Sequence, residues 1–116
     1  MAEDVQKIVN EYSTLQQQLQ LLGAQRQQLD MQRKEIENAM AEVDKATAPV
    51  YRAVGGVMVL RDKESVQKDL QKEKEEAAGR VEFIERQEKK MSERFGAARK
   101  KLEELAKSQA TGSLGG

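Results

Sequence analysis

The sequence predicts a mainly α protein: a long antiparallel two-helix coiled coil whose helices are joined by a single β-hairpin. Two heptad stripes of apolar residues predict the helices, and a short β-branched stretch centred on Gly55-Gly56 predicts the hairpin. Composition agrees with both. Charged residues reach 34% and aromatics only 3%, so side chains large enough to fill a compact core are scarce. A chain rich in Ala, Glu, Lys, Leu, Arg and Gln with one proline is instead suited to long helices with a narrow apolar seam.

The first element occupies 1–47. From Val5 the apolar residues recur at alternating steps of three and four: Val5, Ile8, Tyr12, Leu15, Leu19, Leu22, Leu29, Ile36, Met40 and Val43. Only Arg26 and Arg33 interrupt the stripe. A helix from about Glu3 to about Lys45 would be roughly 60 Å long at 1.5 Å per residue. The two arginines either set the register or, more plainly, pack their aliphatic stems and send their guanidinium groups to water. Glu88 lies within expected reach of Arg26.

The second element is 48–61. Pro49 disfavours a helical conformation at Ala48 and ends the first helix, after which Val50, Tyr51, Val54, Val57 and Val59 supply strand-forming side chains. Gly55-Gly56 fits a two-residue I′ or II′ turn that pairs Val54 with Val57, Ala53 with Met58 and Tyr51 with Leu60.

The third element, 62–107, opens with Asp62 as a helix cap and Glu64 in the first turn. Its stripe runs Leu70, Ala77, Val81, Ile84, Met91, Phe95, Ala98, Leu102 and Leu105, with Lys74 and Glu88 the charged members. Gly79 and Gly96 each cost about 1 kcal/mol relative to Ala and are candidate bending points. Beyond Lys107 periodicity stops, and 108–116 reads as a flexible tail.

The two stripes fit one another when the chain folds back at Gly55. That register pairs Val5 with Leu105, Ile8 with Leu102, Tyr12 with Ala98, Leu15 with Phe95, Leu29 with Val81 and Met40 with Leu70. A slip by one heptad remains open to the stripes alone but moves the fold-back point off the turn.

A two-stranded hairpin is marginal in water, and this one carries apolar residues on both faces and bare strand edges. Val54, Val57 and Val59 lie on one face, Tyr51, Met58 and Leu60 on the other. Pairing with hairpins of other chains, closed into a barrel, would remove the edges and bury several side chains at about 1.5–3 kcal/mol each. The plainer reading is a decorated turn capping a coiled coil, yet antiparallel helices need only a few residues to connect them.

Twenty basic and twenty acidic residues give no net charge and are interleaved, so neither nucleic acid nor an anionic membrane is an expected partner. His and Cys are absent, and "AVGGVMV" lacks the lysine and strand-to-helix context of a phosphate-binding loop. No catalytic residue, metal site or cofactor is expected. The chain shows neither a signal peptide nor an apolar run long enough to span a bilayer, and a cytoplasmic location is the expectation.

"PVYRAVGGVMVLRDKESVQKDL" after the Gln-rich "LQQQLQLLGAQRQQLDMQ", followed by "FIERQEKKM", resembles the β-type subunits of the prefoldin family from about Val5 to about Ala106. β-type subunits carry one hairpin and α-type subunits two. The "ERQEKK" run is similar to archaeal β chains, whereas "FIE" is also similar to the sixth eukaryotic subunit. The resemblance implies an ATP-independent co-chaperone: two α-type and four β-type subunits form a hetero-hexamer with a double β-barrel body and coiled-coil tentacles. Their tips hold unfolded polypeptide clients for transfer to a group II chaperonin.

Carried onto this sequence, Val50, Tyr51, Val54, Gly55, Gly56, Val57, Val59 and Leu60 would belong to the oligomerisation body. The tips would be formed by Val5, Ile8, Val9, Tyr12, Phe95, Leu102 and Leu105, where fraying helix ends can present seam residues to a client. All but Val9 are equally well placed as ordinary seam residues. Leu21 and Phe83 also lie off the seam. A structural or filament-forming coiled coil assembled through the same hairpin is the rival reading.

Overall fold

The computed structural model describes residues 2–115, with side chains described over 4–109. Helix α1 (Ala2–Lys45) is followed by strands β1 (Val50–Val54) and β2 (Val57–Arg61) and by helix α2 (Lys63–Gly115). The residues fall into two compact units. One joins the part of α1 through Gln25 to the part of α2 from Ile84 onward, and the other comprises Arg26–Phe83, including the hairpin.

In the hairpin unit the strands pair antiparallel in the register read from the turn: Val54 with Val57, Ala53 with Met58, Tyr51 with Leu60. Gly55 has φ of +60° and is the one described residue with a positive φ, which marks a type II′ turn. An L side chain there meets the Cβ clash that excludes left-handed backbone, although surrounding space is open. We therefore expect Gly55→Ala to weaken strand pairing by about 1–2 kcal/mol, read as faster amide exchange in the hairpin. Gly79 also has open space around its Cβ position but sits within α2, so Gly79→Ala should stabilise the helix by about 1 kcal/mol. Chemical denaturation midpoints check this second effect.

Polar capping fixes where the helices meet the hairpin. Asp62 Oδ1 accepts a hydrogen bond from Ser65 N at 3.0 Å, the side-chain cap expected of that aspartate. The last turn of α1 has a partner that the periodicity did not reveal. Lys63 Nζ donates to Asp44 O at 2.8 Å and to Ala46 O at 3.1 Å, placing a cation on carbonyls left open by the helix end. Gln67 Nε2 donates to Asp44 Oδ1 at 2.8 Å.

The seam buries Val66, Leu70, Ala77 and Val81 in this unit. Val66 lies one helical turn before the first stripe residue read from sequence. Arg33 Nη2 pairs with Asp30 at 3.3 Å and Arg26 Nη1 approaches it at 3.9 Å. Asp30, within one helical turn of both, thus offers an acidic partner to each seam arginine, while Arg33 Nε is buried without a hydrogen-bond partner.

In the other unit Leu15 and Ala98 are buried, and the remaining stripe residues are half-buried. The rings of Tyr12 and Phe95 stack with centroids 4.5 Å apart and planes 22° apart. The sequence register set Tyr12 opposite Ala98, one turn from Phe95, and the ring stack with Phe95 is a contact that this pairing did not name.

One boundary requires correction. The sequence ends the second helix near Lys107 and predicts a flexible tail over 108–116, whereas α2 continues to Gly115. The segment contains no proline, so backbone hydrogen bonding can continue after the apolar stripe has ended. Gly116 and the side chains from Ala110 onward lie outside the described residues.

Candidate functional site

Alternation along the strands gives the hairpin two different faces. Residues directly opposite in an antiparallel pair share a face, so Val50, Arg52, Val54, Val57, Val59 and Arg61 line one side. Tyr51, Ala53, Met58 and Leu60 line the other. Tyr51 is 66% exposed, Met58 63% and Leu60 59%, an apolar surface uncovered by its own chain. Val54, Val57 and Val59 are exposed too, while Val50 is half-buried. Gly55 and Gly56 form the turn that connects them.

The arginines on the first face anchor the hairpin to α2. Arg61 Nη2 donates to Asp69 Oδ2 at 2.7 Å, Arg52 Nη1 lies 3.9 Å from the same oxygen, and Arg52 Nη2 also pairs with Glu73. Asp69 and Glu73 are four residues apart on one helix face, within reach of both strands. These four residues carried no periodic signal. Their relevance becomes visible only when strand alternation and helix phase are combined.

Asp69 is held below its ordinary pKa of 3.8 by the hydrogen bond from Arg61 and by the charges of Arg61, Arg52 and Lys72, with desolvation opposing them. Its lowered native value means that this anchoring is present above the ordinary carboxylate range. The contribution is lost as pH falls through the native value. In carboxyl NMR titrations, Asp69 should have a midpoint below 3.8 and move upward in Arg61→Gln.

In the separate unit, two shallow grooves flank Ile8 and Leu105. The larger, about 410 Å³, is lined by Asp4, Val5, Ile8, Leu105, Ser108 and Gln109 among others. The second, about 350 Å³, adds Lys101 and Glu104 beside Ile8 and Leu105. Val9 is exposed, whereas Tyr12 and Phe95 are half-buried in their stack and Leu102 is half-buried. Val5, Ile8 and Leu105 therefore come together as an open apolar groove. Tyr12 and Phe95 behave as seam residues in this arrangement.

Exposed Leu21 and Phe83 lie off the seam as read from sequence. Met31 is equally exposed and was not singled out by the heptads. Among the described residues, no group of three or more His, Cys, Asp or Glu is arranged to hold a metal ion. No described helix is long and apolar enough to cross a membrane.

Comparison with known proteins gives a consistent family. Residues 6–109 match the family model described as "Prefoldin subunit". A 59-residue stretch is 41% identical to prefoldin subunit beta of Archaeoglobus fulgidus, covering 51% of this chain and 51% of that relative. The matched stretch thus spans about half the length of this curated relative. The fold is similar to the crystal structure of the prefoldin beta subunit from Thermococcus strain KS-1, with a TM-score of 0.82 and 29% identity. That similarity covers 88% of this chain and 91% of the solved chain. With two long helices joined by one hairpin and a family match across nearly all of its length, the chain belongs to the prefoldin subunit family.

Proposed function

We propose that this chain is a β-type subunit of an ATP-independent co-chaperone, assembling through its hairpin and holding non-native polypeptides at the ends of its helices. The exposed apolar hairpin surface formed by Tyr51, Met58 and Leu60 is the observation that carries the assembly reading. Partner strands would cover that surface and satisfy the open strand edges. In this reading the partners are an α-type subunit and further β-type copies, two α and four β in the complete hexamer.

Client binding uses Val5, Ile8 and Leu105 in the distal grooves, with Val9 beside them and Tyr12, Phe95 and Leu102 extending the apolar stripe inward. Individual shallow contacts are weak, but several ends joined through one body raise one another's effective concentration. Captured chains pass to a group II chaperonin in the cytoplasm, and the subunit itself hydrolyses no nucleotide. Nothing in this role requires a cofactor, nucleic acid or membrane.

The deciding experiment measures solution mass and suppression of aggregation for this chain alone and mixed with an α-type prefoldin subunit, without ATP. A species near hexamer mass that holds a denatured client supports the proposal. A two-chain complex or filament with no holding activity, unaffected by the α-type chain, would instead support a structural coiled coil assembled through its hairpin.

A further inference from the structure

Arg52 comes from β1 and Arg61 from β2, yet both reach the same two turns of α2. Asp69 contacts both strands' arginines, and Glu73 adds a second acceptor for Arg52. The arginine side chains are 27% and 30% exposed, so they are partly withdrawn from solvent at the base of the hairpin. Ser65 lies one turn before Asp69 on the same helical line and accepts from Arg61 as well. This arrangement does more than satisfy isolated surface charges. It ties the arginine-bearing face to α2 through Arg52 and Arg61, while Val54 and Val57 near the turn on that face and the whole face of Tyr51, Met58 and Leu60 stay exposed.

We infer that Asp69 and Glu73 are positioning residues for assembly: by holding Arg52 and Arg61 they fix the hairpin's tilt on α2 and so the orientation in which its apolar surface meets partner strands. The inference rests on the assembly role proposed above. The covalent connections at either end of the hairpin leave its tilt adjustable, whereas two arginine anchors from different strands restrain rotation about the strand direction. A hairpin held in its binding orientation loses less freedom on association than one that must first find it. If only a fraction of unanchored hairpins has the required tilt, apparent affinity falls by that fraction.

The test compares the full chain with its D69N/E73Q variant, which removes both carboxylate charges while preserving side-chain size. Spin labels on A53C and E76C report hairpin orientation in the free chain, and sedimentation with an α-type prefoldin subunit reports assembly at about 0.05 and 0.5 M salt. The expected result is a broadened label-distance distribution and an assembly midpoint raised about tenfold at low salt. The parent chain should assemble less readily at high salt, with the variant showing a smaller salt response; D69E should retain assembly.

Equal distance distributions together with equal midpoints would overturn the inference, as would broadening without any change in assembly. A parent chain that fails to assemble at all would overturn the assembly role as well. The label distances distinguish that result from failure of the anchor alone, because they are measured before association.

Discussion

Replacing Met58 and Leu60 together with glutamate is expected to abolish assembly at concentrations where the unmodified chain forms its complex. Both side chains are largely exposed in the single chain, so their replacement should leave the helices intact. In the assembled state each would lose about 1.5–3 kcal/mol of apolar burial, and the introduced carboxylates would oppose desolvation. The apolar loss alone corresponds to roughly a 10²- to 10⁴-fold weakening. Sedimentation with an α-type subunit measures the loss, and circular dichroism checks helix content. Met31→Glu provides a matched comparison at another exposed methionine and should assemble normally. Normal assembly of M58E/L60E would reject this face as the assembly surface.

The second large effect is expected at the helix ends. Ile8→Asn combined with Leu105→Asn should reduce client holding at least tenfold while leaving complex mass unchanged. Ile8 and Leu105 line both grooves, so the two substitutions place amides in each apolar contact surface. Loss at one end is repeated at every copy of the chain in the assembly, and multivalent capture amplifies a modest local change. Aggregation of a denatured client is measured beside the mass of the complex. Retained holding by a correctly assembled variant would place client binding elsewhere.

These experiments address two surfaces whose legibility in the sequence differed. The hairpin was readable because Gly55-Gly56 set both turn and strand alternation, and the observed register reproduced the expected pairs. The arginine anchor was not readable from that pattern, because Arg52 and Arg61 gain a common partner only after the strands return against α2. At the helix ends the stripe identified Val5, Ile8 and Leu105, but it could not separate an open groove from a closed seam. Tyr12 and Phe95 belonged to the same stripe, yet their ring stack makes their surroundings different.

The sequence by itself determined the helix-hairpin-helix order, the seam and the strand register. Each follows from short-range rules: apolar spacing matches helix periodicity, and a two-residue turn leaves little choice of strand pairing. Only the tertiary structure decided which hairpin side chains reach α2, that Tyr12 stacks on Phe95 and which residues at the helix ends line an open groove. Those outcomes depend on side-chain size, rotation and charge placement between elements, which no one-dimensional spacing contains.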